Sequence, residues 1–267
     1  MLGLTMRPNS AHPVLTTMAP MQLPAPFRPH GDHIAADLPG GGVLFSTRRG
    51  GVSTGPFASL NLGRLTEDTD ANVDANRERL AAATGHPRAR FLYGRQVHGA
   101  SVRRATEPPG PARPAAEEDG QATALDDVAA LVFVADCLPV MLVAEGAVAA
   151  LHGGWRGLAG GIVDEGVAAL RELGADGPVT AALGPSARGC CYEVGDEVHA
   201  HFEGYDARVG ERNLDLAKVA RTQLEAAGVA EVHDVGLCTM CADPELFFSH
   251  RRDGGVTGRQ AGVVWRA

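Results

Sequence analysis

Three short apolar runs follow one another in the middle of the chain, and they constrain the fold more than any other feature. Residues 128–134 are built from Val, Ala, Leu and Phe alone. Runs 140–144 and 147–151 then flank Glu145-Gly146, a pair suited to a hairpin. Segments this short and continuous describe strands buried on both faces, where half-exposed strands would alternate apolar with polar residues. A sheet covered on both sides needs layers above and below it. With 267 residues, 45% of them hydrophobic, the chain is long enough to supply them.

The flanking sequence fits that picture. Residues 43–47 read as a strand feeding Arg48-Arg49-Gly50-Gly51-Val52-Ser53, whose paired glycines permit unusual backbone conformations. From Asp70, the spacing of Val73, Ala75, Leu80 and Ala83 predicts a helix, with Asp70 or Asn72 near its start and Gly85 then Pro87 closing it. Residues 91–102 carry Gln96-Val97-His98-Gly99 in an expected strand and turn, and the Pro-, Ala- and acid-rich residues 107–119 read as a surface loop. Beyond His152-Gly153-Gly154-Trp155-Arg156-Gly157, the positions Ile162, Val163, Gly166, Val167, Leu170 and Leu173 fit a helix stopped by Gly174. Further strands are expected over 179–183, near 232–235 and near 263–265, with helices over 194–202 and 214–227. Strands and helices mix without a regular βα repeat. The predicted fold is therefore α/β (α+β), a single layered domain with mixed β-sheets flanked by helices over 41–267. Residues 1–40 are expected to form an N-terminal extension, poorly ordered in part, because Pro8, Pro13 and Pro20 break the stretch through Met21.

Charge and sorting signals exclude several functions. A net charge of −8 opposes general affinity for nucleic-acid backbones, so a small-molecule partner is expected. Lys218 is the only lysine, and nearly all positive charge is therefore guanidinium, which forks onto carboxylates or phosphates. No apolar h-region with a cleavage site and no bilayer-length apolar run occurs, which predicts a soluble, cytoplasmic protein without membrane contacts. Five cysteines in such a chain suggest thiol chemistry or metal binding ahead of a disulfide framework.

His98, Cys137 and His152 are the candidate metal ligands and catalytic residues. Imidazole and thiolate together suit zinc or copper, and three protein ligands leave one position open for water or substrate. Each lies at an expected strand end beside glycine or proline, where a rigid sheet can aim it. Spacing alone leaves two other readings in place: a buried cysteine with two hydrogen-bonded histidines, or a Cys137 nucleophile activated by His152 or His98. Asp136 could orient a ligand histidine, and Trp155 could stack on a base or close the core. Cys238-Thr239-Met240-Cys241 could be a redox pair or half of a structural zinc site with Cys190 and Cys191. Adjacent residues usually point apart, so reduced, buried thiols are expected for these four.

Several stretches resemble the laccase-domain family, also described as multicopper polyphenol oxidase-like or YfiH-type purine nucleoside phosphorylases. They are Ser46 to Ser53, Ser59-Leu60-Asn61-Leu62-Gly63, Asn76-Arg77, Gln96-Val97-His98-Gly99, Ala135-Asp136-Cys137-Leu138-Pro139-Val140 and His152-Gly153-Gly154-Trp155-Arg156-Gly157. Gly184-Pro185, Cys190-Cys191-Tyr192-Glu193-Val194-Gly195, Phe247-Phe248-Ser249, Arg251-Arg252-Asp253 and Thr257-Gly258-Arg259 continue in the family's order. The resemblance implies that His98, Cys137 and His152 hold zinc, or copper. It further implies phosphorolysis of adenosine, inosine and methylthioadenosine with inorganic phosphate, and adenosine deamination alongside. A cysteine-dependent amidase acting on peptidoglycan precursors and a polyphenol oxidase are the alternatives it also suggests.

Phosphorolysis needs a cationic clamp for phosphate, a donor to the departing purine and stabilisation of positive charge on the ribose. Arg48 is the first candidate for the clamp, with Arg156 and Arg259 beside it, because each adjoins glycines that let backbone N–H groups approach an anion. Ser46 and Asn61, from the resembling stretches, complete the candidate substrate- and phosphate-binding set. Arg49, Arg251 and Arg252 are expected in structural ion pairs. Deamination needs an activated water, which an open metal position can provide. The Pro-Cys-x-x-Cys half of the zinc deaminase signature is missing, so that activity would use another constellation.

Overall fold

The computed structural model describes residues 22–110 and 116–267. Strands β1 (Arg28–His30), β2 (His33–Leu38) and β3 (Gly41–Phe45) precede helix α1 (Asp70–Thr84). Then come β4 (Phe91–Leu92), β5 (Val102–Ala105), β6 (Gly120–Thr123), β7 (Ala129–Val134), β8 (Leu138–Ala144) and β9 (Ala147–Gly153). Helices α2 (Trp155–Ala159) and α3 (Ile162–Glu172), strand β10 (Val179–Leu183) and helix α4 (Asp196–His199) follow. The chain closes with β11 (Arg208–Val209), β12 (Asn213–Leu214), helix α5 (Leu216–Ala226), β13 (Glu231–Asp234) and β14 (Gln260–Arg266).

Two mixed six-stranded sheets result, ordered β1-β2-β3-β14-β7-β4 and β13-β10-β8-β9-β6-β5, beside the small pair β11-β12. The parallel pairs are β4 with β7, β5 with β6 and β10 with β13, and the other pairs in the two sheets are antiparallel. The apolar runs are continuous because the sheets stack on each other. Every residue of β8 and β9 is buried. On one face of their hairpin, Val140, Leu142, Ala149 and Leu151 pack with Ile162, Val163 and Leu170 of α3 and Leu216, Ala220 and Leu224 of α5. On the other, Met141, Val143, Val148 and Ala150 meet Ile34, Val43, Phe45, Val132 and Val264 from the first sheet. The outer face of the first sheet, with Leu44, Leu131 and Val263, is covered by Leu80 and Ala81 of α1 and by Leu60 and Leu62. The order of layers is helix, sheet, sheet, helix. Residues of the hairpin thus face apolar neighbours on both sides, which removes the alternation a one-sided sheet would show.

Local signals explain the element ends. Thr69 caps α1 by accepting from the Asn72 N–H, and Gly85 ends it at φ 72°. Asp215 caps α5 by accepting from Ala217 and Lys218. At Gly166 of α3, an added Cβ would lie 2.5 Å from Leu151, so glycine is what lets this helix approach β9.

Four expectations change. The sequence assigns 1–40 to an extension, yet residues 28–38 form β1 and β2 and extend the first sheet, while the stretch through Met21 lies outside the described residues. Gln96 to Gly99, expected in a strand and turn, form irregular backbone with a bend at His98 between β4 and β5. The predicted helix over 194–202 shortens to α4 and a 3₁₀ turn, Ala200–Phe202. Residues 107–119 do not end as a surface loop, because Asp119 is 1% exposed and leads directly into β6. Among the described residues, no helix is long and apolar enough to cross a membrane.

Candidate metal centre

Asp119 organises the site. Its Oδ1 lies 2.7 Å from Nδ1 of His152, which sits within β9 opposite Pro139 and is 3% exposed. The same carboxylate accepts the backbone N–H groups of Val97 at 2.9 Å, His98 at 2.9 Å and Gly99 at 2.8 Å. Burial alone would raise Asp119, but the His152 hydrogen bond and the amides of Val97 and Gly99 hold it below the usual carboxylate range. An ionised Asp119 requires His152 to donate through Nδ1. That leaves Nε2 as the ring atom that can ligate a cation once it gives up its proton. One buried carboxylate therefore fixes one candidate ligand ring and shapes the loop that carries another. His98 adopts φ 63° within that loop, a conformation unusual for a residue with a Cβ.

Cys137 is placed by its neighbour. Asp136 has φ 92° and turns the chain from β7 into β8. Its carboxylate accepts the Thr239 hydroxyl at 2.6 Å and the Arg251 N–H at 2.7 Å, and its carbonyl accepts the Ala187 N–H at 2.8 Å. The suggestion that Asp136 orients a ligand histidine is thereby corrected: it holds the turn, and Asp119 performs that task.

The ligating atoms of His98, Cys137 and His152 all lie within 4.8 Å of one another, and the two rings are 4.9 Å apart. Burial raises the Cys137 thiol, yet His152 and His98 bring it down to about 6. Burial likewise lowers His152, but Cys137 and Asp119 raise it to about 9. The thiolate that soft cations need is thus favoured before any ion arrives. Two imidazoles and a thiolate converging from three segments fit zinc or copper(I) held by three protein ligands with a position open to the cleft.

That cleft has a volume of about 540 Å³. Tyr93 and Phe133 form an apolar wall, edge to face with centroids 5.4 Å apart. Behind it the Arg77 guanidinium lies 4.8 and 4.5 Å from those two rings and donates to the Leu62 carbonyl. Burial lowers Arg77 to about 10, which still leaves it charged at neutral pH. The cleft is also cationic, lined by Arg64, Arg156, Arg251 and Arg259. Arg156 lies over the Trp155 ring at 4.3 Å and Arg251 over the Tyr192 ring at 5.2 Å. Trp155 packs on the core and also lines the cleft.

The structure divides the sequence-predicted residues. His98, Cys137 and His152 meet, and Arg156 and Arg259 line the same cleft. Ser46, Arg48 and Asn61 are not among its lining residues. Ser46 is buried and its Oγ accepts the Ala261 N–H at 2.9 Å, closing the end of the β3–β14 pair. Arg48 donates to the carbonyls of Ala58 at 2.6 Å and Pro244 at 2.9 Å and covers the Phe248 ring at 4.5 Å, so it joins loops. Asn61 is buried, donates to Thr66 and Asp68, and accepts the Arg259 N–H at 2.9 Å. Arg251, expected in an ion pair, instead reaches the cleft. Sequence reasoning missed Asp119, whose acidic surroundings hid it, and Tyr192, which had no signal apart from its motif. The pair His199 and His201 builds no second centre: His199 faces the Arg212 carbonyl at 3.2 Å and His201 lies against Trp155.

Comparison with known proteins shows the family of the chain. The family model described as multi-copper polyphenol oxidoreductase laccase matches residues 42–267. A purine nucleoside phosphorylase of Streptomyces coelicolor is 40% identical over 230 residues, covering 83% of this chain and 93% of that protein. One of Deinococcus radiodurans is 41% identical over 229 residues, covering 82% and 87%. The crystal structure of YlmD from Geobacillus stearothermophilus superposes with a TM-score of 0.81 and 35% identity, covering 90% of this chain and 98% of that one. A Neisseria meningitidis protein gives 0.78 and 36%, covering 88% and 99%. The matched span includes His98, Cys137, His152, Asp119 and every cleft residue named above, and the chain belongs to the multi-copper polyphenol oxidoreductase laccase family.

Proposed function

We propose that the chain is a metal-dependent purine nucleoside phosphorylase acting on adenosine, inosine and methylthioadenosine with inorganic phosphate, with adenosine deamination as a side activity. The observation that carries this reading is the opening of the His98–Cys137–His152 trio onto one cleft lined by the aromatic pair Tyr93 and Phe133 and by several arginines. Relatives about 40% identical bear the phosphorylase name. His98, Cys137 and His152 would hold zinc, with copper as the alternative ion. When bound, the ion supplies a Lewis acid that polarises an oxygen of substrate or water.

The chain's own residues provide the remaining requirements. Phosphorolysis forms a bond from phosphate oxygen to ribose C1′ as the C1′–N9 bond breaks, and the purine leaves with a proton. Arg259, Arg156 and Arg251 offer cationic groups for phosphate. Tyr93 and Phe133 present a face against which a base can pack. Burial and the Cys137 thiolate push the Tyr192 hydroxyl up to about 12, so at neutral pH it is a proton donor on the cleft wall. Multi-electron oxidation would need several copper ions, whereas this trio supplies ligands for one.

A second reading, a cysteine-dependent hydrolase or amidase for peptidoglycan precursors, draws on the Cys137–His152 pair, which resembles an activated nucleophile. Metal analysis coupled to product identification separates the two. Incubation with adenosine should release adenine only when phosphate is present, and a chelator should stop it. His98→Ala should lower turnover at least ~100-fold and lose one metal equivalent. Full activity in that variant, or turnover indifferent to phosphate and chelator, would refute the phosphorylase assignment.

A further inference from the structure

Outside the cleft, four thiols converge where two loops meet. Strands β10 and β13 run parallel, and the loops leaving their C-terminal ends lie side by side. Ser186 pairs with Cys238 in a parallel bridge, its N–H donating to the Leu237 carbonyl at 3.2 Å and its carbonyl accepting from Thr239 at 3.0 Å. The first loop carries Cys190 and Cys191 in a turn closed by Tyr192 N–H on the Arg188 carbonyl at 2.8 Å. The second carries Cys238 and Cys241 in a turn closed by Ala242 N–H on the Cys238 carbonyl at 3.0 Å. Adjacent cysteines usually point apart, but this turn brings them together. Cys190 and Cys191 have their sulfurs 3.6 Å from each other, and all four sulfurs lie within 4.8 Å of one another.

We propose that Cys190, Cys191, Cys238 and Cys241 bind a structural zinc ion, separate from the His98–Cys137–His152 centre. Tetrahedral coordination with zinc–sulfur bonds of about 2.3 Å places sulfurs about 3.8 Å apart. The Cys190–Cys191, Cys190–Cys241 and Cys191–Cys238 separations of 3.6, 3.5 and 3.3 Å lie near that edge, and Cys191–Cys241 at 2.8 Å would widen around an ion. The surroundings of Cys238 favour its thiolate. Backbone N–H groups of Cys241, Met240 and Arg188 are directed at the Cys238 sulfur. The buried Arg188 guanidinium, anchored on Asp234 at 2.7 and 2.5 Å, places a positive charge close to Cys238. Cys190 and Cys241 are exposed, so an ion can enter without rearrangement of the core. Binding releases the thiol protons to solvent and forms four zinc–sulfur bonds without redox change. The ion would join two turns that lie 47 residues apart in sequence, measured from Cys191 to Cys238. Both turns support the cleft. Tyr192 directly follows the first, and in the second the Thr239 carbonyl accepts from Arg252 at 2.9 Å, next to Arg251.

Two measurements on the full chain test the site. In a Cys137→Ala/His152→Ala variant, which removes the other centre, one zinc equivalent should remain, with a zinc absorption-edge spectrum fitted by four sulfurs at about 2.3 Å. In the unmodified protein under anaerobic conditions, N-ethylmaleimide should label Cys190 and Cys241 slowly until a strong chelator is added, then label all four thiols. A zinc-free double variant, a spectrum with nitrogen or oxygen neighbours, rapid labelling without chelator, or masses showing disulfides among these four would each overturn the proposal. Cys190→Ser/Cys241→Ser should lose one equivalent while the His98–Cys137–His152 centre keeps its own. The labelling of the unmodified protein stands even where that variant does not fold.

Discussion

Asp119 shows how one side chain can organise a candidate metal site without being among the groups that would hold the ion. It orients His152 and binds three successive amides around His98. Asp119→Asn keeps the shape but loses the charge that fixes the His152 tautomer. Metal affinity, measured by competition with a chelator, should fall about 10–100-fold with the fold retained; unchanged affinity would remove Asp119 from this role. The arginines separate in the same way. Arg259→Met should raise the KM for phosphate, because its side chain lines the cleft, and should also lower stability somewhat, because the guanidinium donates to the carbonyls of Thr257 and Gly258. Arg48→Met should instead cost about 1–3 kcal/mol of stability, from the carbonyls of Ala58 and Pro244 it leaves without their charged donor, and leave the phosphate KM near its original value. Paired kinetic and denaturation measurements decide between these outcomes. The trio was legible in the sequence as a candidate only, since imidazole and thiolate beside glycine and proline left two other readings in place until the resemblance of the flanking motifs to the laccase-domain family singled it out. Asp119 was not, because a carboxylate's partners are fixed by folding, and three of the four are backbone groups that no sequence pattern displays.

At the scale of elements, legibility followed burial. The β8–β9 hairpin and α3 were readable, since both bury apolar residues at the spacing their geometry demands. Helix α1 was readable in extent but less so in register. Its buried face combines Val73, Leu80 and Ala81 with Asn76, Arg77 and Thr84. Those polar residues serve the loops: Asn76 accepts from Val52 and donates to Ser53 and to the carbonyls of Ser59 and Asn61. Strand β6, Gly120–Thr123, lacked an apolar signal altogether and is defined by its neighbours β5 and β9. Just before α1, Asp68 links the same network to the helix start. Burial raises its carboxyl, but Ser53, Asn72, Asn61 and the Thr69 amide together hold it below its ordinary value. A carboxyl lowered on folding contributes stability above its unfolded value of about 4 and loses it as pH falls through the lower folded value. Asp68→Ala should therefore cost about 1–3 kcal/mol at pH 7, and the gap to the original protein should narrow towards pH 2. A gap independent of pH would show that the lost contacts do not depend on the charge.

For the whole molecule, the layered α/β architecture was legible from the buried runs, while its N-terminal boundary was not. Strands β1 and β2 are short, and the sequence before Gly41 has no long apolar run to announce them. Their role is set by tertiary context. β2 pairs along β3, and Phe27, Ile34, Ala36 and Leu38 are buried in the core between the two sheets. Removing them would uncover one edge of β3 and expose Val43 and Phe45 on a sheet that also carries β7, the strand leading to Asp136 and Cys137. Burial of each large apolar side chain contributes about 1.5–3 kcal/mol, so losing Phe27, Ile34 and Leu38 together removes an amount comparable to the net stability of a typical domain, about 5–15 kcal/mol. An uncovered β3 edge also offers unpaired N–H and C=O groups to other chains. A chain beginning at Gly41 should accordingly unfold or aggregate under conditions where a chain beginning at Gln22 remains folded, as read by thermal denaturation and size-exclusion chromatography. Equal stability of the two would return the boundary to residue 41 and make β1 and β2 dispensable. The expected result places it before Phe27, because the sheet that positions Cys137 is completed from that end.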